Sequence, residues 1–424
     1  MRLSFKNGSY GWTVVSAAFV VAVFGWGVGF YGPPVFLDAV QKAHGWSLPL
    51  VSAAVTAHFL IGALAVANLP ALHVRFGLAE VTKAGALSLA LGVLGWALAA
   101  EPWQLLAATI LSGAGWVALG AAAINAIVSP WFVRGRPAAL AMAYNGASVG
   151  GVLFSPLWVA AIGWLGFAGA ATVIGCVMIV VLWLVADRVI SRKPQAMGLR
   201  PDGDAGEAPA VSRVSAVAPQ RSSLWRDRQF LTLAGGMSLG LFAQIGLIAH
   251  LFSLLAPPLG AGPAGLAMGM ATACAIAGRT AMGFLLPGIA DRRLAAAASY
   301  AVQILGCATF ILASGHETAF LIAGVVLFGV GIGNATSLPP LVAQMEFAKE
   351  DVQRVVALIT ATSQATYAFA PAFFGAIRAL ASAGSAGGES NVPLFFCAAA
   401  LFQGLAIASL LLGRRVADRV RAAS

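Results

Sequence analysis

Arg279 stands in the apolar stretch ACAIAGRTAMGFLL and is the only residue of fixed charge between Gln229 and Ala290. Its guanidinium keeps its proton at physiological pH and presents a fork of donors matching a carboxylate. Asp291, the next acidic residue along the chain, lies about 18 Å further on if the intervening residues are helical. In hydrocarbon, a charge that deep costs about 2.5–3.5 kcal/mol and normally faces a wet cavity and an anion. The alternative is an arginine that tethers helix carbonyls or a neighbouring carboxylate. No Asp or Glu lies at mid-depth of any apolar run, and Asp38 and Glu346 fall near run ends.

Other polar residues recur at helical spacing. Thr360, Gln364 and Tyr367 follow i, i+4, i+7 and share one helix face, as Asn145, Ser148 and Ser155 share another. Such faces either line a cavity or join helices through hydrogen bonds. Tyr31 is a candidate lining residue, with plain packing as its alternative. Asn334 precedes Pro339-Pro340, and His250 precedes Pro257-Pro258; helices broken at such prolines border ligand sites by exposing backbone groups. His58 and His250 lie within apolar runs. Each is either a neutral, hydrogen-bonded imidazole or a proton carrier, since histidine titrates near neutral pH. The four cysteines, Cys176, Cys274, Cys307 and Cys397, have no metal-like spacing and read as small core fillers. No metal or cofactor is expected. No Gly-x-x-x-x-Gly-Lys-[Ser/Thr] phosphate loop occurs, which argues against ATP hydrolysis.

The elements that must hold these residues are membrane helices. Of the 424 residues, 60% are hydrophobic and only 9% charged, against roughly a quarter charged in soluble domains. Twelve apolar spans are predicted at 12–36, 47–70, 80–100, 103–129, 138–161, 166–186, 229–256, 263–288, 294–314, 318–342, 352–380 and 392–413. Each is long enough to cross about 30 Å of hydrocarbon. Their unalternating pattern selects helices over a barrel. The first span is followed by no small-residue cleavage site, so it reads as a membrane helix and not a signal peptide.

The net charge of +10 is distributed by side of the membrane, which argues against nucleic-acid binding. With a cytoplasmic N-terminus, 22 of the 25 Lys and Arg fall on cytoplasmic ends and loops. Lys42, Arg378 and Arg279 are the exceptions. This asymmetry predicts both termini in the cytoplasm. A polar, Pro- and Ser-rich stretch, 187–228, divides six spans from six. The expected domains are therefore an N-terminal bundle (1–186), a cytoplasmic linker (187–228) and a C-terminal bundle (229–424). A weak repeat joins the halves: NAIVSP begins at Asn125 and NATSLP at Asn334, each followed by a basic loop and a proline-containing helix.

Twelve spans, a central linker and related halves resemble the major facilitator superfamily. Its loop pattern Gly-x-x-x-Asp-Arg-x-Gly-Arg is degraded here. PALHVRFGL keeps Arg75 and Gly77, and GFLLPGIADRR keeps Gly283 with a displaced Asp291-Arg292-Arg293. WFVRGRPAALAMAYNGASVGGVLFSPL (Trp131 to Leu157) resembles the region of spans 4–5 in the monocarboxylate transporters and the oxalate:formate antiporters. GRTAMG resembles their Arg-Pro-x-x-Gly motif in the eighth span, and AMGLRPDGD a linker phrase of bacterial members. The resemblance implies that Arg279 holds a substrate carboxylate. The chain departs from the family in three places. Ala275 replaces an Asp linked to proton coupling. Pro34 stands where a Lys follows a Pro in the first span. The eleventh span, LITATSQATYAF, lacks the antiporter's Lys. One cation suits a monoanion better than oxalate.

The expected protein is an all-α, multi-pass inner-membrane protein of two six-helix bundles, acting as a monomer. Its expected function is proton-coupled symport of a small organic anion, a monocarboxylate, by alternating access. Substrate contacts are assigned to Arg279, Tyr31, Asn334, Gln364 and Tyr367, and proton coupling to His250 or His58. Anion exchange is the alternative, and a non-transporting receptor a further one. The expected partners are the anion, the proton and membrane lipid. An enzyme is not expected, because no carboxylate or histidine pairs meet at a predicted interface.

Overall fold

The computed structural model describes residues 10–199, 201–203, 224–286, 291–313, 317–383 and 392–414. Both termini and half of the linker, with the expectations that fall on them, lie outside the described residues. Helices follow one another as α1 (Tyr10–Gly29), α2 (Pro33–His44), α3 (Leu48–Ala65), α4 (Leu69–Phe76), α5 (Leu78–Leu98), α6 (Pro102–Leu119), α7 (Ala121–Val128) and α8 (Arg136–Val185). The second half continues with α9 (Arg228–Leu259), α10 (Ala261–Leu285), α11 (Arg292–Leu312), α12 (Thr318–Glu346), α13 (Lys349–Tyr367), α14 (Ala370–Ala383) and α15 (Val392–Leu412). No strand occurs among the described residues.

Ten helical stretches are long and apolar enough to cross a membrane. One of them, 136–190, holds the predicted fifth and sixth spans. They turn at Gly166, whose φ of 67° is open to glycine and costly for other residues. The predicted eleventh span is α13–α14, and α13 is polar enough to fall outside those ten. Phe284, inside a predicted span, is 82% exposed, as a side chain facing lipid must be.

The helices do not break at the prolines expected to break them. Pro257-Pro258 lie in the last turn of α9, and Pro339-Pro340 lie inside α12, and both helices run through them. A proline removes one i→i−4 bond, which a tightly packed helix tolerates. The breaks fall instead at 30–32 between α1 and α2, at Gly120 between α6 and α7, and at 368–369 between α13 and α14.

Contacts divide the chain into two compact units, Met1–Pro219 with Ala249–Thr272, and Gln220–Ile248 with Ala273–Ser424. Residues 249–272 group with the first unit because α10 meets α8 in near-backbone contact. A Cβ on Gly265 would lie 2.8 Å from Val159 Cγ2, and one on Gly269 3.0 Å from the Val152 carbonyl. The rest of the first unit is packed around aromatic rings. Phe36 meets Trp158 edge-on at 4.6 Å, and both side chains are fully buried. Cys307 is buried as expected of a core filler, but Cys176 and Cys397 are exposed. They sit on the outer surface of their helices, which lipid covers in an apolar run.

The linker's described segment at 201–203 is tied to the first unit. Asp202 accepts the backbone N–H groups of Val133 (3.0 Å), Arg134 (2.8 Å) and Gly135 (3.0 Å). It caps the start of α8 from a distant part of the sequence, next to the positive end of the helix dipole. Partial burial pushes its carboxyl up, but the three N–H bonds and the Arg134 charge outweigh that and hold it below the usual carboxylate range. A depressed folded pKa means this contact stabilises above the unfolded value of about 3.9 and is lost as pH falls through the folded one. Asp202→Ala is expected to raise hydrogen exchange at residues 133–135 about fivefold, as loss of a cap worth about 1 kcal/mol implies.

Arg293 organises the second unit. Its side chain is 1% exposed and pairs with Glu346 through two bonds, Nε to Oε1 at 2.7 Å and Nη2 to Oε2 at 2.8 Å. Nη1 donates to Thr232 Oγ1 (3.0 Å) and the Leu410 carbonyl (3.3 Å), and Nη2 also to the Gln229 carbonyl (2.8 Å). All five donors are used, on α9, α12 and α15. Asp291 caps α11 through Leu294 N–H and pairs with Arg414. The displaced Asp291-Arg292-Arg293 of the sequence is therefore an internal clamp of this unit. Removing one partner leaves a charge stranded, so Arg293→Ala is expected to cost about 3–5 kcal/mol. The double variant Arg293→Met/Glu346→Leu is expected to recover most of that in a thermal melt.

Candidate functional site

Arg279 sits on α10, half-buried, opposite a backbone-to-backbone crossing with α12. A Cβ on Gly333 would stand 2.4 Å from the Ala275 carbonyl and 3.1 Å from Arg279 Cβ. Only glycine permits that approach. The closeness lets Arg279 Nε donate to the Gly333 carbonyl at 3.3 Å, and Ser337 Oγ donates to the same oxygen at 3.0 Å. Fixing Nε fixes the plane of the guanidinium and leaves its orientation set by the protein. Ala275, one helical turn before Arg279, is 2% exposed.

Asn334 follows Gly333 and is 3% exposed, and its Oδ1 accepts no hydrogen bond from the described residues. An unpaired buried amide oxygen costs roughly 1–3 kcal/mol unless a partner arrives. Gln364 and Tyr367 hydrogen-bond to one another on α13, as their spacing predicts. Tyr367 closes α13 because Pro371 has no N–H to return to its carbonyl. Ser363, on the neighbouring face, is buried against Ser238 of α9 at 3.3 Å. The second unit thus brings Arg279 and Asn334 together through Gly333, and Gln364 and Tyr367 together on α13.

Tyr31 lies in the break between α1 and α2. Its ring meets Phe30 edge-on at 5.0 Å. A Cβ on Gly151 of α8 would be 2.6 Å from both the Tyr31 ring and Thr272 Cγ2. Thr272 and Arg279 are seven residues apart and share a face of α10. His250 is fully buried on α9, and its carbonyl accepts Ser253 Oγ at 2.9 Å. His58 is fully buried on α3, with Nδ1 2.8 Å from Ser112 Oγ and Nε2 2.8 Å from the Gly29 carbonyl. The two asparagines of the sequence repeat differ: Asn125 Nδ2 bonds Tyr144 Oη at 2.6 Å and the Ala121 carbonyl at 3.1 Å.

Sequence reasoning missed Ser337, Ser112, Arg293 and Asp202. The first two are ordinary serines in apolar runs and carry no signal of their own. No group of three or more potential metal ligands occurs among the described residues.

Two helical units of membrane-spanning length, with a fixed cation inside one of them, define a multi-pass membrane protein. The profile of the Major Facilitator Superfamily matches residues 15–371. The chain belongs to that superfamily. A protein described as the MFS transporter asaE, from Aspergillus flavus, is 26% identical over 283 residues, a match covering 66% of this chain and 60% of that protein. The chain thus spans less than two thirds of that relative's length. The fold is similar to the nucleoside transporter NupG (TM-score 0.72, 12% identity, 96% and 100% of the two chains). It is also similar to a D-xylose-proton symporter (TM-score 0.69, 14% identity, 95% and 97%). A bacterial homologue of the human lysosomal transporter Spinster shares it too (TM-score 0.70, 15% identity, 96% and 95%).

Proposed function

We propose that the chain is an inner-membrane secondary transporter of a small organic monoanion, a monocarboxylate, working as a monomer by alternating access. The observation that carries this reading is Arg279: a half-buried guanidinium in an apolar helix, its plane set by the Gly333 carbonyl. A carboxylate on the fork offsets desolvation that nothing apolar in α10 can offset. Tyr31, Asn334, Gln364 and Tyr367 are the proposed further contacts. The domains are proposed as 1–186, 187–228 and 229–424, with linker and termini in the cytoplasm on the charge asymmetry.

Proton symport is the preferred coupling, with His250 as the carrier, since it is a buried titratable group in a transporter helix. Ala275 favours a second reading, anion exchange, because it removes the carboxyl that would take a proton in related carriers. His250→Gln separates them. Under symport the variant loses pH-gradient-driven accumulation in proteoliposomes and keeps exchange. Full accumulation by the variant removes His250 from the mechanism.

Thermal shift of the purified chain against formate, acetate, L-lactate, pyruvate and oxalate tests the substrate class. A bound monoanion at about 100 times its Kd stabilises by about 2.7 kcal/mol. Arg279→Ala is expected to fold and insert but to lose that shift. Arg279→Lys keeps the charge without the fork and is expected to lose most of it. Stabilisation by a monocarboxylate that is undiminished in Arg279→Ala would overturn the anion clamp.

A further inference from the structure

Pro33 and Pro34 have no backbone N–H, so the carbonyls of Gly29 and Phe30 lose the donors that a continuous helix would supply. In a membrane, water does not make up that loss. His58 does so for Gly29: its Nε2 lies 2.8 Å from that carbonyl. A carbonyl only accepts, so Nε2 carries the hydrogen. In the neutral ring Nδ1 then accepts from Ser112 Oγ at 2.8 Å, and Ser112 Oγ accepts Trp96 Nε1–H at 3.2 Å. One set of hydrogens satisfies the whole chain. A second hydrogen on Nδ1 would reverse the serine hydroxyl towards the Thr109 carbonyl, which is 3.5 Å away. His58, Ser112 and Trp96 are each 1% exposed. Trp158 Nε1 donates to the Gly27 carbonyl at 3.2 Å, so a second side chain supports the same end of α1.

Beyond the break the backbone is ordered by short turns. Phe30 and Tyr31 N–H both reach the Trp26 carbonyl (3.0 and 2.9 Å), and Val35 and Phe36 N–H reach the Gly32 carbonyl (2.9 and 3.0 Å). These turns hold Tyr31 over Gly151 beside Thr272.

We propose that His58 is a positioning residue for transport: as a neutral Nε2–H imidazole it braces the break in the first membrane helix and so places Tyr31, and it does not carry a coupling proton. The proposal rests on reading Tyr31 as a site residue, but its test uses no substrate. Hydrogen exchange is measured on residues 30–36 of the full-length purified chain. His58→Ala is expected to raise exchange there about tenfold, as loss of a buried hydrogen bond implies. His58→Gln is expected to restore most of the protection, because its amide can donate to Gly29 and accept from Ser112. Ser112→Ala keeps the Gly29 bond and is expected to show a smaller rise, and it provides the comparison if His58→Ala does not fold. Arg279→Ala is the control, with unchanged exchange at 30–36, so a failed anion clamp does not masquerade as a failed brace. Nitrogen-15 spectra of labelled histidine give the second readout, a single neutral Nε2–H tautomer for His58 from pH 5.5 to 8. Unchanged exchange in both His58 variants, or a His58 signal that titrates in that range, would overturn the proposal.

Discussion

A backbone carbonyl inside a bilayer has to find its donor within the protein. Proline withholds that donor at a known distance, four residues back along the helix. In this chain two helices end at such a carbonyl, α1 at Gly29, four residues before Pro33, and α13 at Tyr367, four before Pro371. Each marks the end of a helix, and each stands beside or at a tyrosine assigned to the site. The His58–Ser112–Trp96 chain is the repair for the first break, built from side chains on three separate helices. A break made by sequence and mended by packing is rigid, and a rigid break can present a side chain in a defined place.

The two buried arginines show how the same group serves different ends. Arg293 commits five donors to Glu346, Thr232, Leu410 and Gln229, and its charge is neutralised within the protein. It is the arginine of a scaffold. Arg279 is half-buried, and its Nε bond goes to the Gly333 carbonyl, which orients the guanidinium. In the functional reading, a ligand anion supplies the countercharge that Glu346 supplies to Arg293.

Much of this was legible in the sequence, because hydropathy and charge act locally. The helical spans and the shared face of Gln364 and Tyr367 followed from composition and spacing, and the superfamily from a resemblance. What was not legible depends on partners distant in the chain. Arg293 looked like one more basic residue at a membrane edge, and only folding brings Glu346, 53 residues away, onto its fork. Pro257-Pro258 and Pro339-Pro340 looked like breaks, yet α9 and α12 run through them although each pair withholds two backbone donors. The Pro33-Pro34 pair did announce two orphaned carbonyls by simple counting. That His58 would answer one of them was not in the sequence, since the pairing crosses 29 residues.

The account turns on whether the fork of Arg279 holds a carboxylate during transport. Counterflow in proteoliposomes tests this directly, with carbon-14-labelled acetate, L-lactate and pyruvate offered beside labelled xylose and uridine. The wild-type chain is predicted to accumulate at least one of the monocarboxylates and neither neutral compound, and Arg279→Lys is predicted to accumulate none. Counterflow of xylose or uridine by both proteins at equal rates, with no carboxylate flux, would contradict the account.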